Sequence, residues 1–248
     1  MVKGLEIFRQ YFKEYDDQYV LIGGVACDVA FESNETSFRA TRDMDMVLIV
    51  EALTSEFGAK FWEFIQDGGY RNKATNWGKP QFYRFDKPEN ASYPKMIELF
   101  SRNDFELKNM TGITPIHIDD TVSSLSAILL NADYYSVLLD GKIIVNGLSI
   151  LRPEYLILFK ARAYLDLKQR KDNGETVDSN DIKKHKKDVL RIASELMLEK
   201  VTNLPNTVKK DIDTFIDSLE KEPFDDNSLR NYGLKNEEVM EVLKRTFS

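Results

Sequence analysis

The chain has 248 residues, of which 42% are hydrophobic and 30% are charged, and this composition is that of an ordinary globular protein with one large domain or two small ones. Its net charge of −7 argues against broad, sequence-independent binding of nucleic acid, so RNA is a possible partner that the charge does not support. One cysteine and two histidines exclude an internal disulfide framework and leave little material for a zinc site, so any metal is expected to be a hard cation on oxygen ligands.

The amino-terminal half alternates helical and strand patterns. Apolar residues recur at helical spacing before the first strand, and the later apolar runs are short and rich in β-branched residues. The predicted elements are, in chain order, a helix over 5–15, a strand over 19–22, a helix over 25–31, a strand over 44–50, a helix that Thr54 or Ser55 caps and Gly68-Gly69 ends, and strands over 82–85 and 96–100.

The second half carries two turn signals and then only helical patterns. Asp140-Gly141 predicts a two-residue hairpin between strands over 135–139 and 142–145, and Asn146-Gly147 predicts another turn before a strand over 148–151. The helices are predicted over about 154–170 and 181–200, with two more capped by Asn206 and Asn236. The sequence therefore predicts an α+β protein, with a mixed β-sheet core flanked by helices over 1–152 and an all-helical carboxy-terminal domain over 153–248.

The stretch 19–50 carries the strongest functional pattern. Gly23-Gly24 follows an apolar strand and opens a helix, an arrangement whose backbone N–H groups suit a phosphate. Asp43 and Asp45 stand two residues apart in a strand pattern, so their side chains leave the same face. Two carboxylates side by side repel each other unless a cation lies between them. The pattern predicts a site for a nucleotide phosphate and a divalent metal.

Glu98 is the candidate for a third carboxylate. It stands inside a short apolar strand, where an unpaired charge would be unfavourable. Its neighbours along the strand leave one face and Glu98 leaves the other, so Glu98 can share a face with Asp43 and Asp45. The alternative is a solvent-facing glutamate on an edge strand.

The cations near these carboxylates have open interpretations. Arg39 and Arg42 could pair with phosphates or could balance the aspartates structurally, and Arg42 is the candidate contact to the NTP. The lysine-rich cluster over 183–187 is either a solvated helix face or a contact for a polyanionic substrate.

The segments GGVACDVAF and FRATRDMDMVL resemble the nucleotidyltransferase superfamily of DNA polymerase beta type, and within it the AbiEii-type (abortive-infection, toxin-like) nucleotidyltransferases. The shared pattern is a Gly-Gly turn that opens a helix, followed by Arg-x-Thr-x-Asp-x-Asp leading a strand. The resemblance implies a nucleotidyltransferase-like mixed sheet with a helical carboxy-terminal region, an NTP as co-substrate, and Mg²⁺ or Mn²⁺ as cofactor.

The resemblance also implies roles for individual residues. Gly23 and Gly24 would bind phosphate, and Asp43 and Asp45 would be catalytic metal ligands. Glu98 would be the third carboxylate, as metal ligand or base, where aspartate is commoner in the superfamily.

A lysine of the family's first helix after the core corresponds to Lys160 in the run LILFKARAY. Its ammonium could reach the triphosphate, or it could extend to water from an apolar helix face. The family's later Lys-Asp pair corresponds to Lys187-Asp188.

The first functional hypothesis is a Mg²⁺-dependent nucleotidyltransferase that moves an NMP from an NTP to a hydroxyl acceptor, which could be a tRNA, a protein or a small molecule. A second is a non-catalytic protein on the same fold that binds a nucleotide or a protein partner, for example in a toxin–antitoxin-like pair. A third is that this face of the sheet is only structural. Because the chain has neither a signal-peptide pattern nor an apolar run of membrane-spanning length, we expect a cytoplasmic protein without a membrane partner.

Overall fold

The computed structural model describes residues 2–33, 38, 43–72, 82–100 and 131–248. Within these residues the chain forms nine helices and seven strands, which confirms the predicted α+β class. In chain order they are α1 (Leu5–Phe12), β1 (Tyr19–Ile22), α2 (Gly23–Glu32), β2 (Asp43–Leu48), α3 (Ser55–Gly68), β3 (Arg71–Asn72), β4 (Phe82–Asp86), β5 (Met96–Phe100), α4 (Ala132–Asp140), β6 (Lys142–Val145), β7 (Leu148–Leu151), α5 (Pro153–Asp172), α6 (Ser179–Glu195), α7 (Asn206–Lys221), α8 (Asp226–Arg230) and α9 (Asn236–Phe247).

The described strands form one mixed sheet in the order β3-β4-β5-β2-β1-β7-β6. β2 runs parallel to β5, and β1 runs parallel to β7. The remaining neighbours are antiparallel. The three strands that carry the predicted site or lead into it, β1, β2 and β5, therefore stand next to one another at the centre of the sheet.

Aromatic side chains of α1 and α3 fill the space beside β1. The ring of Phe8 lies edge-on to Tyr19, with 5.4 Å between ring centroids, and edge-on to Phe64, with 5.7 Å. Tyr19 pairs with Leu48, which is three residues from Asp45, so this aromatic layer covers the face of the sheet opposite to the Asp45 side chain. Burial of these rings stabilises β1 and β2, the strands whose opposite face carries the Asp45 side chain.

The predicted hairpin at Asp140-Gly141 is wrong. Residues 135–139 belong to the helix α4, whose apolar side chains Tyr134, Tyr135, Val137 and Leu138 are buried at helical spacing. The hairpin lies at the second signal, Asn146-Gly147, where both residues have positive φ (50° and 73°) between β6 and β7. Two residues with φ > 0 are what a tight hairpin turn of type I′ requires.

The predicted N-cap residue is confirmed for one helix and is wrong for two others. Thr54 caps α3, because its Oγ1 accepts a hydrogen bond from the N–H of Phe57 at 3.2 Å. Asn206 and Asn236, predicted as caps, are instead the first helical residues of α7 and α9.

The chain divides into two compact units. The amino-terminal unit comprises the described residues up to Phe100 together with Gly141–Arg152, and the helical unit comprises 131–140 together with Pro153–Ser248. α4 thus groups with the helices, although the predicted border at 152/153 placed it in the amino-terminal core. In the helical unit α5 packs on α6 and α7, and α9 packs on the same two helices. No helix in the described part of the chain is both long and apolar enough to span a membrane.

Candidate functional site

The site begins at the junction of β1 and α2, where the strand passes into the helix without a loop. Gly23 is the first residue of α2 and has φ +62°, in the left-handed region that favours glycine. The residue before it is Ile22, whose side chain has no group that could cap the helix, and the first turn contains no acidic residue. A helix end without a capping side chain is of the kind that accepts an anion, and the predicted phosphate contact of Gly23 and Gly24 stays a prediction.

Asp45 lies directly against this junction. Ile22 is the register partner of Asp45, so the carboxylate reaches the start of α2. A Cβ placed on Gly23 would lie 2.1 Å from Oδ2 of Asp45, which is far inside van der Waals contact. The positive φ favours glycine here, and a larger residue would also have to push the Asp45 carboxylate aside.

Asp43 and Glu98 share the face of Asp45. Asp43 is two residues from Asp45 on β2, and both aspartates are partly exposed. Glu98 is the register partner of Asp45 on the parallel strand β5, so the two side chains stand side by side on strands about 4.8 Å apart. The sharing of one face, which the alternation along β5 predicted, is confirmed.

Glu98 is neither exposed nor at an edge. It is 7% exposed, and β5 lies between β4 and β2. Its Oε1 accepts a hydrogen bond from Nε of Arg84 at 2.8 Å and lies 2.6 Å from Nη2 of the same guanidinium. Arg84 is the register partner of Glu98 on β4, so arginine, glutamate and Asp45 form one row across three strands. The alternative of a solvent-facing glutamate on an edge strand is excluded.

The aspartate pair has the chemistry of a Mg²⁺ site. Mg²⁺ prefers oxygen ligands, keeps several waters, and is usually held by one or two carboxylates together with substrate phosphates. Asp43 and Asp45 offer two carboxylates on one face, and Asp45 lies beside the helix end suited to phosphate. Among the residues that the structure describes, no group of three or more His, Cys, Asp or Glu side chains is placed to hold a metal ion. Glu98 is engaged by Arg84, so the two aspartates are the carboxylates that would hold such an ion.

Lys160 lies in the helical unit, and its ammonium does not extend to water. The residue is 6% exposed on α5, and its Nζ lies 2.7 Å from Oδ2 of Asp188 on α6, which is 3% exposed. Within this unit the described role of Lys160 is thus an ion pair that joins two helices. Of the pair Lys187-Asp188, only the aspartate is buried.

Most of the lysine-rich cluster is exposed, which both interpretations of it allow. Lys183, Lys184 and Lys187 are exposed on α6. Lys186 differs, because its Nζ donates to the backbone carbonyl oxygens of Glu222 and Pro223 just after α7. Burial lowers the pKa of Lys186. Arg39 and Arg42 lie outside the described residues, so the predicted phosphate contact of Arg42 stays a prediction.

Sequence reasoning missed Arg84. A signal for it was present, because Arg84 interrupts the apolar run of β4 just as Glu98 interrupts that of β5. Two opposite charges inside neighbouring apolar strands are expected to pair. The register that brings them together was the missing information.

No protein-family model matches the chain, and no curated protein matches its sequence. Among solved structures the chain is similar to an antigenic nucleotidyltransferase-like protein from Paracoccidioides brasiliensis, with 12% identity, a TM-score of 0.47, and coverage of 100% of this chain and 96% of the other. It is also similar to JHP933 from Helicobacter pylori, with 13% identity, a TM-score of 0.33, and coverage of 96% and 86%. Neither similarity is close enough to assign an activity to this chain.

Proposed function

We propose that the protein is a Mg²⁺-dependent nucleotidyltransferase that moves an NMP from an NTP to a hydroxyl acceptor. The observation that carries the proposal is the contact between Gly23 and the carboxylate of Asp45. It places a carboxylate suited to a metal beside a helix end suited to a phosphate. The resemblance of the Gly-Gly and Asp-x-Asp segments to AbiEii-type nucleotidyltransferases supports the same function.

The chain's residues would divide the work as follows. Asp43 and Asp45 would hold the metal, which when bound supplies positive charge against the charge of the triphosphate. The N–H groups at the start of α2 would donate hydrogen bonds to phosphate oxygens. The acceptor oxygen would attack the α-phosphorus, the bond from that phosphorus to the bridging oxygen would break, and pyrophosphate would leave with the electron pair. The hydroxyl proton would pass to a base or to water.

The test follows the transfer of label from α-³²P-labelled NTPs in the presence of Mg²⁺. Cell lysate, tRNA and a panel of small hydroxyl compounds serve as acceptors, because the chain could use any of these classes. Asp43→Asn and Asp45→Asn are each expected to reduce transfer at least about 10²-fold, the scale on which the loss of one charge-stabilising group acts. Asp17→Asn, at an exposed aspartate before β1, is the matched control and is expected to keep full activity. Undiminished transfer in the Asp43 and Asp45 variants would refute the assignment of these aspartates as catalytic metal ligands.

One observation favours the second hypothesis, a non-catalytic protein that binds a nucleotide or a protein partner on the same fold. Glu98, the candidate third carboxylate, is already paired with Arg84. Calorimetry with NTPs, with and without Mg²⁺, separates the two functions. Binding of an NTP without turnover over the whole acceptor panel would favour the non-catalytic protein, and a toxin–antitoxin-like partner would then be the next ligand to seek.

A further inference from the structure

We infer that Arg84, and not a second metal ion, is the cation that neutralises Glu98, so that the protein alone binds one divalent ion, on Asp43 and Asp45. This inference rests on the proposed function, since it concerns the metal of the same site. It assigns Arg84 as a positioning residue, which acts on the site through Glu98. It also removes Glu98 from the set of metal ligands.

The first argument is the geometry of the pair. Nε and Nη2 of Arg84 lie 2.8 Å and 2.6 Å from the same oxygen, Oε1 of Glu98. A metal ion on that oxygen would have to take the place of the guanidinium, and one on the other oxygen, Oε2, would be repelled by the same guanidinium nearby. Because Arg84 and Glu98 are register partners on adjacent strands, the backbone itself holds the two side chains together.

The second argument is burial. The side chains of Arg84 and Glu98 are 22% and 10% exposed. Two charges in such a position are screened by water much less than a surface pair, so breaking their contact leaves a charge that is poorly solvated. Loss of the guanidinium from Glu98 is therefore unfavourable.

The third argument is the charge of the row. Arg84 and Glu98 offset each other within the row, and Asp45 together with Asp43, two residues away on β2, carries −2, the charge that one divalent ion balances. These charges match one divalent ion on Asp43 and Asp45, with Arg84 as a fixed cation at the other end of the row.

The experiment is a Mn²⁺ titration of the full chain without nucleotide, in which the EPR signal of free Mn²⁺ gives stoichiometry and affinity. The wild-type protein is expected to bind one Mn²⁺. Asp45→Asn is expected to weaken binding at least about tenfold, since even the loss of a group that supports a ligand does so. Glu98→Gln is expected to keep one ion, and Arg84→Met/Glu98→Gln, which removes both charges of the pair, is expected to bind it with an affinity within about threefold of the wild type.

Variants of Arg84 complete the test. Arg84→Met is expected to bind a second Mn²⁺ on the released carboxylate, and the double variant Arg84→Met/Glu98→Gln is expected to return to one. Arg84→Lys keeps the charge and is expected to stay at one ion. If Arg84→Met does not fold, the Glu98→Gln and Arg84→Lys variants still decide the question.

The outcomes separate the two proposals. Two ions on the wild-type protein, with the second lost in Glu98→Gln, would overturn the role of Arg84 and leave the proposed function standing. The same holds if Arg84→Met/Glu98→Gln weakens binding as much as Asp45→Asn does. If the wild-type protein binds no Mn²⁺, or if Asp45→Asn does not weaken binding, both the proposed metal site and this inference are wrong.

Discussion

Replacement of Gly23 by alanine tests the contact on which the proposed site depends. The new Cβ would lie 2.1 Å from Oδ2 of Asp45, at a residue with φ +62°. The left-handed backbone alone is expected to destabilise an alanine by about 1–2 kcal/mol. The contact adds a second effect, because either the backbone shifts, at about 1–3 kcal/mol, or the carboxylate rotates away from the start of α2.

The matched control is Gly147→Ala in the hairpin between β6 and β7. Gly147 also has positive φ, at +73°, but the nearest atoms to its Cβ are side-chain carbons of Arg9 at 3.9 Å, an ordinary contact. Gly147→Ala therefore carries the backbone effect without the collision. Both glycines lie in the amino-terminal unit, so one probe serves both variants.

The assay combines thermal unfolding with Mn²⁺ affinity. Trp62 lies on α3 in the amino-terminal unit, so in a Trp77→Phe background tryptophan fluorescence follows that unit. Each kcal/mol corresponds to about 2–4 °C in Tm for a protein of this size. Gly23→Ala is expected to melt lower than Gly147→Ala, or to equal it in Tm while binding Mn²⁺ at least about tenfold more weakly because Asp45 has moved. Equal Tm together with unchanged Mn²⁺ affinity would refute the reasoning.

Three further predictions concern the ion pair, a buried tyrosine and a helix cap. Lys160→Met removes the ammonium that pairs with the buried Asp188 carboxylate. It is expected to destabilise the helical unit by about 3–5 kcal/mol in urea unfolding, and Lys160→Met/Asp188→Leu is expected to recover part of that loss. Burial, and after it the Asp211 carboxylate that accepts its hydrogen bond at 2.9 Å, raise the pKa of Tyr134. Since the folded state then disfavours the phenolate, stability followed by circular dichroism is expected to fall as pH rises above the unfolded value of about 10, and to fall less in Tyr134→Phe. Thr54→Ala is expected to lower the stability of the amino-terminal unit by about 1 kcal/mol because it removes the cap of α3, whereas Ser55→Ala, at an exposed hydroxyl, changes it by less than about 0.5 kcal/mol.

The centre of the sheet could be predicted from the sequence because its strands are short apolar runs with clear ends. The common face of Asp43, Asp45 and Glu98 followed from alternation along each strand. The Arg84–Glu98 pair did not, because β4 and β5 are joined by a loop whose length does not set their register. A slip of one residue would have turned Arg84 to the other face.

The error at Asp140-Gly141 has a different cause. An Asp-Gly pair between apolar runs is a strong local signal for a hairpin. The run before it is helical because Tyr134 and its neighbours are buried at helical spacing, with the ring of Tyr134 edge-on to Phe159 of α5 at 5.5 Å. Those partners follow later in the chain, and a local pattern does not contain them.

The position of α4 in the chain has a consequence for how this protein can be divided. The polypeptide contributes α4 to the helical unit, returns to add β6 and β7 to the sheet, and enters the helical unit again at Pro153. A single cut at residue 152 would leave α4 on the amino-terminal fragment, separated from its partners α5 and α7. The apolar side chains of α4 would then be exposed. Neither unit is one continuous piece of sequence, so a gene that encoded only one of them would need two separate segments joined together.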